Sequence, residues 1–190
     1  VNARRRLLTV VGAAAAAGAA PRLASAATDA AWSAPAVPRS AGAAPAVPPL
    51  GTRIELPPVR LLDGREIEPA YWRGKVLVVE RWASWCPFCA RQNPEIDKLH
   101  RAQAASGLEV LGLSIDRQAE DARRYMREHG YAFHAAMLDP KWEAVLGRPK
   151  GLPIVWVIGR SGRLEQLEIG EMFPEDVAEL ARWAKQGAKE

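Results

Sequence analysis

The stretch KVLVVERWASWCPFCARQNP, residues 75–94, constrains the chain more than any other. Its first eight residues are mostly apolar and β-branched, which predicts a buried strand from Lys75 to Trp82. Alternation puts Val76, Val78 and Glu80 on one face of that strand. Pro87 then suits the first turn of a helix running to about Ala105, because its missing N–H would have had no intrahelical partner there. Cys86 therefore sits where a buried strand hands over to a helix, with Cys89 one turn further on. A strand buried on both faces needs layers on both sides, so the expected class is α/β.

The remaining punctuation agrees with that class. Leu108 to Ile115 (LEVLGLSI) reads as a second buried strand. A helix is predicted from about Gln118 to His129, with Ala119, Ala122, Tyr125 and Met126 on one face, Glu120 and Asp121 early, and Gly130 as its cap. Tyr131 to Met137 suggests another strand and Lys141 to Leu146 a short helix. Ile154 to Ile158 and Leu164 to Ile169 read as a hairpin around Arg160-Ser161-Gly162. A final helix starts at Pro174, presents Val177, Leu180, Ala181 and Ala184 to the sheet, and ends at Gly187. Ahead of these, Val59 to Leu62 and Arg65 to Ile67 flank Asp63-Gly64 as a short N-terminal hairpin. The order implies a central mixed β-sheet with helices on both faces.

The N-terminus has a different texture. Arg4, Arg5 and Arg6 precede an apolar run from Leu7 to Ala20, and Ala24-Ser25-Ala26 forms a small-x-small site, the pattern of an export signal peptide over residues 1–26. The run is about 14 residues, short of the roughly 20 needed to span a bilayer, so the expected membrane encounter is transient. The arginine pair followed by Leu7 and Leu8 is also compatible with a twin-arginine route. Residues 27–51, mostly Ala, Pro, Ser and Gly, read as a disordered linker, and residues 52–190 as one domain.

The formal charge of +4 dissolves once it is located. Four basic residues and no acidic one lie within residues 1–26, which leaves 22 basic against 22 acidic residues in the rest. No electrostatic case for nucleic acid remains.

Cys86 and Cys89 are the only cysteines. As a staple the pair gains little, because a loop of about four residues removes little entropy from the unfolded chain. As a metal site it lacks partners: of His100, His129 and His134, the last two have finger-like spacing, but 39 residues separate Cys89 from His129 where about 12 to 15 are usual. A redox pair fits best. At a helix N-terminus, unpaired N–H groups and the dipole favour the Cys86 thiolate, which is expected to be exposed for attack. Trp85 and Phe88 would flank the sulfurs with apolar surface. Glu80, six residues before Cys86, is costly to bury and its pKa should rise. Beneath Cys89 it could accept that thiol's proton; alternatively it points to solvent or pairs with Arg81.

From about Thr52 to Lys189 the chain resembles TlpA/ResA/CcmG-type thiol-disulfide oxidoreductases of the thioredoxin superfamily. GKVLVVERWASWCPFCARQNP matches that family's strand, W-C-x-x-C motif and helix start, with Pro94 eight residues after Cys86, and GLPIVWVIGRSGRL matches its loop, strand and turn. The resemblance implies a thioredoxin-like fold and a cis Leu152-Pro153 bond facing the cysteines, with Pro153 and Leu152 shaping the substrate groove and keeping metals off the pair. Cys86 would attack, Cys89 would resolve the mixed disulfide, and Trp85, Pro87 and Phe88 would contact substrate. Such exchange requires no organic cofactor and no metal. The implied partners are proteins with cysteine thiols or disulfides and a membrane electron donor, in the periplasm, with the reductant of apocytochrome or copper-site cysteines as the favoured direction and a disulfide donor as the other. Glu80 stands where exported relatives more often have Asn, and Gln92 where ResA-like reductases carry Glu. A peroxidase of the peroxiredoxin type is disfavoured because P-x-x-x-T-x-x-C is missing. A non-catalytic thioredoxin-like chaperone or copper carrier is the rival from another class.

Overall fold

The computed structural model describes residues 45–186. The segment read as an export signal, most of the linker, and Gly187 lie outside the described residues. Two short strands, β1 (Val59–Arg60) and β2 (Glu66–Ile67), form the N-terminal antiparallel hairpin. Gly64 turns it at φ 93°, a conformation open to glycine at little cost.

The central sheet contains β3 (Val76–Trp82), β4 (Leu108–Ser114), β5 (His134–Met137), β6 (Ile154–Ile158) and β7 (Leu164–Ile169), in the order β5-β4-β3-β6-β7. β3 runs parallel to β4, and β4 to β5, while β6 is antiparallel to both β3 and β7. The helices are α1 (Pro87–Gln103), α2 (Ala119–His129), α3 (Pro140–Leu146), α4 (Pro174–Glu179) and α5 (Ala181–Lys185).

Alternation along β3 divides the core. Val76 and Val78 pack with Ile96 and Leu99 of α1 and Val177, Leu180 and Ala184 of α4 and α5. Leu77 and Val79 face the other way, onto Trp142 and Leu146 of α3, Trp72, and the hairpin residues Val59 and Ile67. The sheet is therefore mixed and covered by helices on both faces, as expected. Gly112 of β4 lies opposite Glu80, and a Cβ there would come within 2.7 Å of both Trp82 Nε1 and Phe133 Cε2.

Three boundaries differ from expectation. β5 begins at His134 rather than Tyr131, because Ala132 N–H donates to Asp97 Oδ1 of α1 at 2.6 Å instead of joining the sheet. The last helix is two segments meeting at Leu180, where tighter bonds from Leu180 N to Val177 O and from Trp183 N to Leu180 O interrupt it. Packing also starts before Thr52: Pro45 O accepts from Arg148 N at 2.9 Å, and Gly51 N donates to Leu164 O at 2.7 Å. Gly147, at φ 77°, makes room for that segment, since a Cβ would lie 2.6 Å from Val47 Cα.

Candidate active site

β3 delivers the chain to α1 through Ala83, Ser84 and Trp85. Asp116, just past the C-terminal end of β4, clamps this link: its carboxylate accepts from Ser84 N at 3.1 Å, Ser84 Oγ at 2.8 Å and Ser114 Oγ at 2.7 Å. Cys86 is then the N-cap of α1 and Pro87 its first residue. The Cys86 side chain folds back over the first turn, and Cys89 N–H donates to its Sγ at 3.2 Å. One of the orphan donors of the helix N-terminus is thereby aimed at sulfur, an arrangement that favours negative charge there.

Cys86 is not exposed as expected. It is 3% accessible, packed in a cluster with Trp82, Ala83, Cys89, Ala122 and Tyr125. The physical reason is the same inward fold of its side chain as N-cap. The flanking apolar groups stand outside instead, Trp85 at 64% and Phe88 at 49% exposure. Leu152 packs against the cluster that holds both cysteines, and the Leu152–Pro153 bond is cis. Arg81 supports the loop leading there by donating to Pro149 O at 2.9 Å, and so does not pair with Glu80.

Cys89 and Glu80 are both fully buried. Among the described residues no cation pairs with Glu80; Gln92 Nε2 donates to its Oε1 at 2.8 Å. Asn93, with its amide nitrogen turned to the carboxylate, lies 3.2 Å from each Glu80 oxygen and 3.0 Å from Cys89 O; the opposite orientation would set its oxygen against three acceptors. Burial pushes the Glu80 carboxyl up to about 8, with the Gln92 hydrogen bond opposing that rise. Burial likewise raises the Cys89 thiol, and its contacts with Cys86 and the Glu80 charge add to the effect. The Cys89 thiol is raised further than the Glu80 carboxyl, so the carboxylate is the weaker base of the two, but it is ionisable near neutral pH inside the core, which suits general acid–base work.

The sequence reading missed Asn93, Asp116 and Tyr125. Asn93 was signalled by spacing: Cys89, Gln92, Asn93 and Ile96 recur as one buried helical face, and two amides on such a face require a buried polar partner. Asp116 was signalled by position, since the carboxyl ends of parallel strands are where sites assemble. Tyr125, read only as a core residue of its helix, brings a buried hydroxyl beside the cysteines. The histidines lie elsewhere: His129 donates from Nδ1 to Tyr125 O at 2.9 Å, and His134 lies 3.3 Å from Glu109. Among the described residues no group of three or more His, Cys, Asp or Glu is placed to hold a metal ion, and no helix is long and apolar enough to cross a membrane.

A Cys-x-x-Cys dithiol at the start of the helix after the central strand, beside a cis proline, defines the class: a thiol-disulfide oxidoreductase of TlpA/ResA/CcmG type with a thioredoxin-like fold. Residues 49–182 match the Redoxin family model, and the chain belongs to that family. It is 25% identical over 117 residues to the thiol-disulfide oxidoreductase ResA of Geobacillus thermodenitrificans, covering 61% of this chain and 67% of that protein. It is 30% identical over 102 residues to the thiol:disulfide interchange protein DsbE homolog of Paracoccus denitrificans, covering 53% of this chain and 54% of that protein. Among solved structures, a thiol:disulfide interchange protein of Chlorobium tepidum TLS superposes with a TM-score of 0.64 at 22% identity, over 73% of this chain and 98% of that one. A putative protein disulfide isomerase from Bacteroides thetaiotaomicron gives 0.66 at 20% identity, over 78% and 95%.

Proposed function

We propose that this protein is exported to the periplasm and there reduces disulfides of protein substrates, in the manner of cytochrome c or copper-site maturation, with electrons drawn from a membrane donor. The Cys86 thiolate attacks one sulfur of the substrate disulfide; a mixed disulfide forms and one substrate thiolate leaves. Cys89 then gives its proton to Glu80 and attacks Cys86 Sγ, which releases the second substrate thiolate. Two electrons pass from the dithiol to the substrate, and the donor restores the dithiol. Trp85, Pro87 and Phe88 meet the substrate from the helix side, and Leu152 and Pro153 from the loop side. No organic cofactor or metal enters these steps.

The observation that carries this reading is that Cys89 and Glu80 are both buried, act on each other electrostatically, and leave Glu80 with no salt-bridge partner among the described residues. Closing the disulfide requires Cys89 to lose a proton, and we assign Glu80, whose charge acts on that thiol, as the base that takes it. The test is a trap. Cys89→Ser, incubated with periplasmic extract, is expected to accumulate adducts through Cys86 that dithiothreitol releases. If adducts are no more abundant than with the double Cys86→Ser, Cys89→Ser variant, the exchange reading fails. Partner binding that survives Cys86→Ser unchanged would point to a chaperone or carrier.

A further inference from the structure

Gln92 makes two contacts from a position with 1% accessibility. Its Nε2 donates to Glu80 Oε1 at 2.8 Å, and its Oε1 accepts from Met172 N at 2.7 Å. The same amide thus touches the buried acid on one side and, on the other, the backbone of the segment joining β7 to α4. That segment is also held at Gly170, whose N donates to Pro153 O at 2.9 Å, and at Glu171, whose carboxylate accepts from Arg91 Nε and Nη2 at 2.6 Å. It ends at Phe173, 69% exposed. Arg91 in turn lies over the Phe88 ring at 4.9 Å, so the segment continues the apolar rim of the cysteines.

We propose that Gln92 is a positioning residue that couples the protonation of Glu80 to the 170–173 segment beside the dithiol. The physics is bond cooperativity through one amide. An ionised Glu80 accepts a charge-assisted bond from the Gln92 NH2, which polarises the amide and makes its oxygen a better acceptor for Met172 N–H. A protonated Glu80 weakens both bonds. The coupling is reciprocal: whatever holds the segment in this position favours the ionised acid. On the reading of the site given above, a substrate seated on Phe88 and Phe173 would therefore prepare Glu80 to take the Cys89 proton. The titratable groups facing Glu80 are Cys89 of α1, Tyr125 of α2 and Tyr131 ahead of β5. None of these is a cation, and only the two amides of α1 offset the desolvation of its charge.

The experiment uses the purified protein in its disulfide form, which removes both thiols from the titration. Carboxyl 13C shifts follow Glu80 and the 15N–1H shift follows Met172 across pH 5 to 10. Glu171, held ionised by Arg91, titrates on the acid side and does not confuse the signal. The Met172 amide is expected to show an inflection at the pH where Glu80 titrates, and to lose it in Glu80→Gln. In Gln92→Met that inflection disappears from Met172 and the Glu80 inflection moves up by roughly one pH unit, a tenfold weaker acid, since a bond to the charged form is gone. Gln92→Glu keeps the shape and the acceptor for Met172, yet also moves the Glu80 inflection up because two carboxyls then meet. Inflections at different pH values in the unaltered protein, or a Glu80 inflection unmoved in both variants, overturn the proposal. Should a variant fail to fold, the unaltered protein and Glu80→Gln decide. These readouts do not depend on thiol exchange, so they separate this coupling from the proposed function.

Discussion

Removing the buried acid should change how stability depends on pH. Glu80 titrates near its ordinary 4.5 when unfolded and at about 8 when folded. The folded state therefore binds the proton more tightly, and its advantage is complete only below about 4.5. As pH rises through the window from 4.5 to 8, the unfolded chain releases that proton first and stability falls. Linkage over these two values gives a loss of roughly 3 to 4 kcal/mol between pH 5 and pH 8, at about 1.4 kcal/mol per pH unit across most of the window. Glu80→Gln removes this titration while keeping the side chain's shape. Urea unfolding of both proteins in the disulfide form, at several pH values from 5 to 8, isolates the effect, because every other group cancels in the difference. With a urea slope of about 1 to 3 kcal/mol/M, the midpoint of the unaltered protein should drop relative to Glu80→Gln by about 1 M or more over that range. Parallel pH profiles for the two proteins would mean that Glu80 ionises in the fold as easily as in water, the opposite of what its burial requires.

Three further outcomes follow from the same geometry. Resolution of a preformed Cys86 mixed disulfide should accelerate as pH rises to about 8, where Glu80 becomes the base, and Glu80→Gln should flatten that profile in stopped-flow thiol release. Gly112→Ala drives a methyl group to 2.7 Å from Trp82 Nε1 and Phe133 Cε2, and is expected to cost about 1 to 3 kcal/mol in chemical unfolding. Asp116→Ala strands the Ser84 and Ser114 donors beneath the link to Cys86, so about 1 to 3 kcal/mol should be lost and thiol-disulfide exchange slowed.

Strand-to-helix order was legible because the apolar runs are long and the helix signals local: Pro87 at the first turn of α1, Gly130 at φ 65° ending α2, and acids Glu120 and Asp121 at its start. The fold of Cys86 back over the first turn was not legible, because N-cap rotamer and neighbouring packing decide it and neither is written in the spacing. Glu80 was singled out by strand parity, but its partners lie twelve and thirteen residues on, in α1, and only the fold brings Gln92 and Asn93 onto it. The early end of sheet pairing at His134 has a similar origin, since the competing acceptor, Asp97, is 35 residues away in sequence. The anchoring of Pro45 and Gly51 escaped a compositional reading because backbone groups make those bonds.

We propose that Cys86 and Cys89 form one two-electron couple that works as a reductant. Its most direct test is the reduction potential of the pair, measured by equilibrating the protein against dithiothreitol or glutathione ratios. A reductant of this kind should show a single two-electron transition near the thioredoxin level of about −270 mV. A value near about −120 mV would make the protein a disulfide donor, and failure to form the disulfide at any ratio would contradict exchange chemistry altogether.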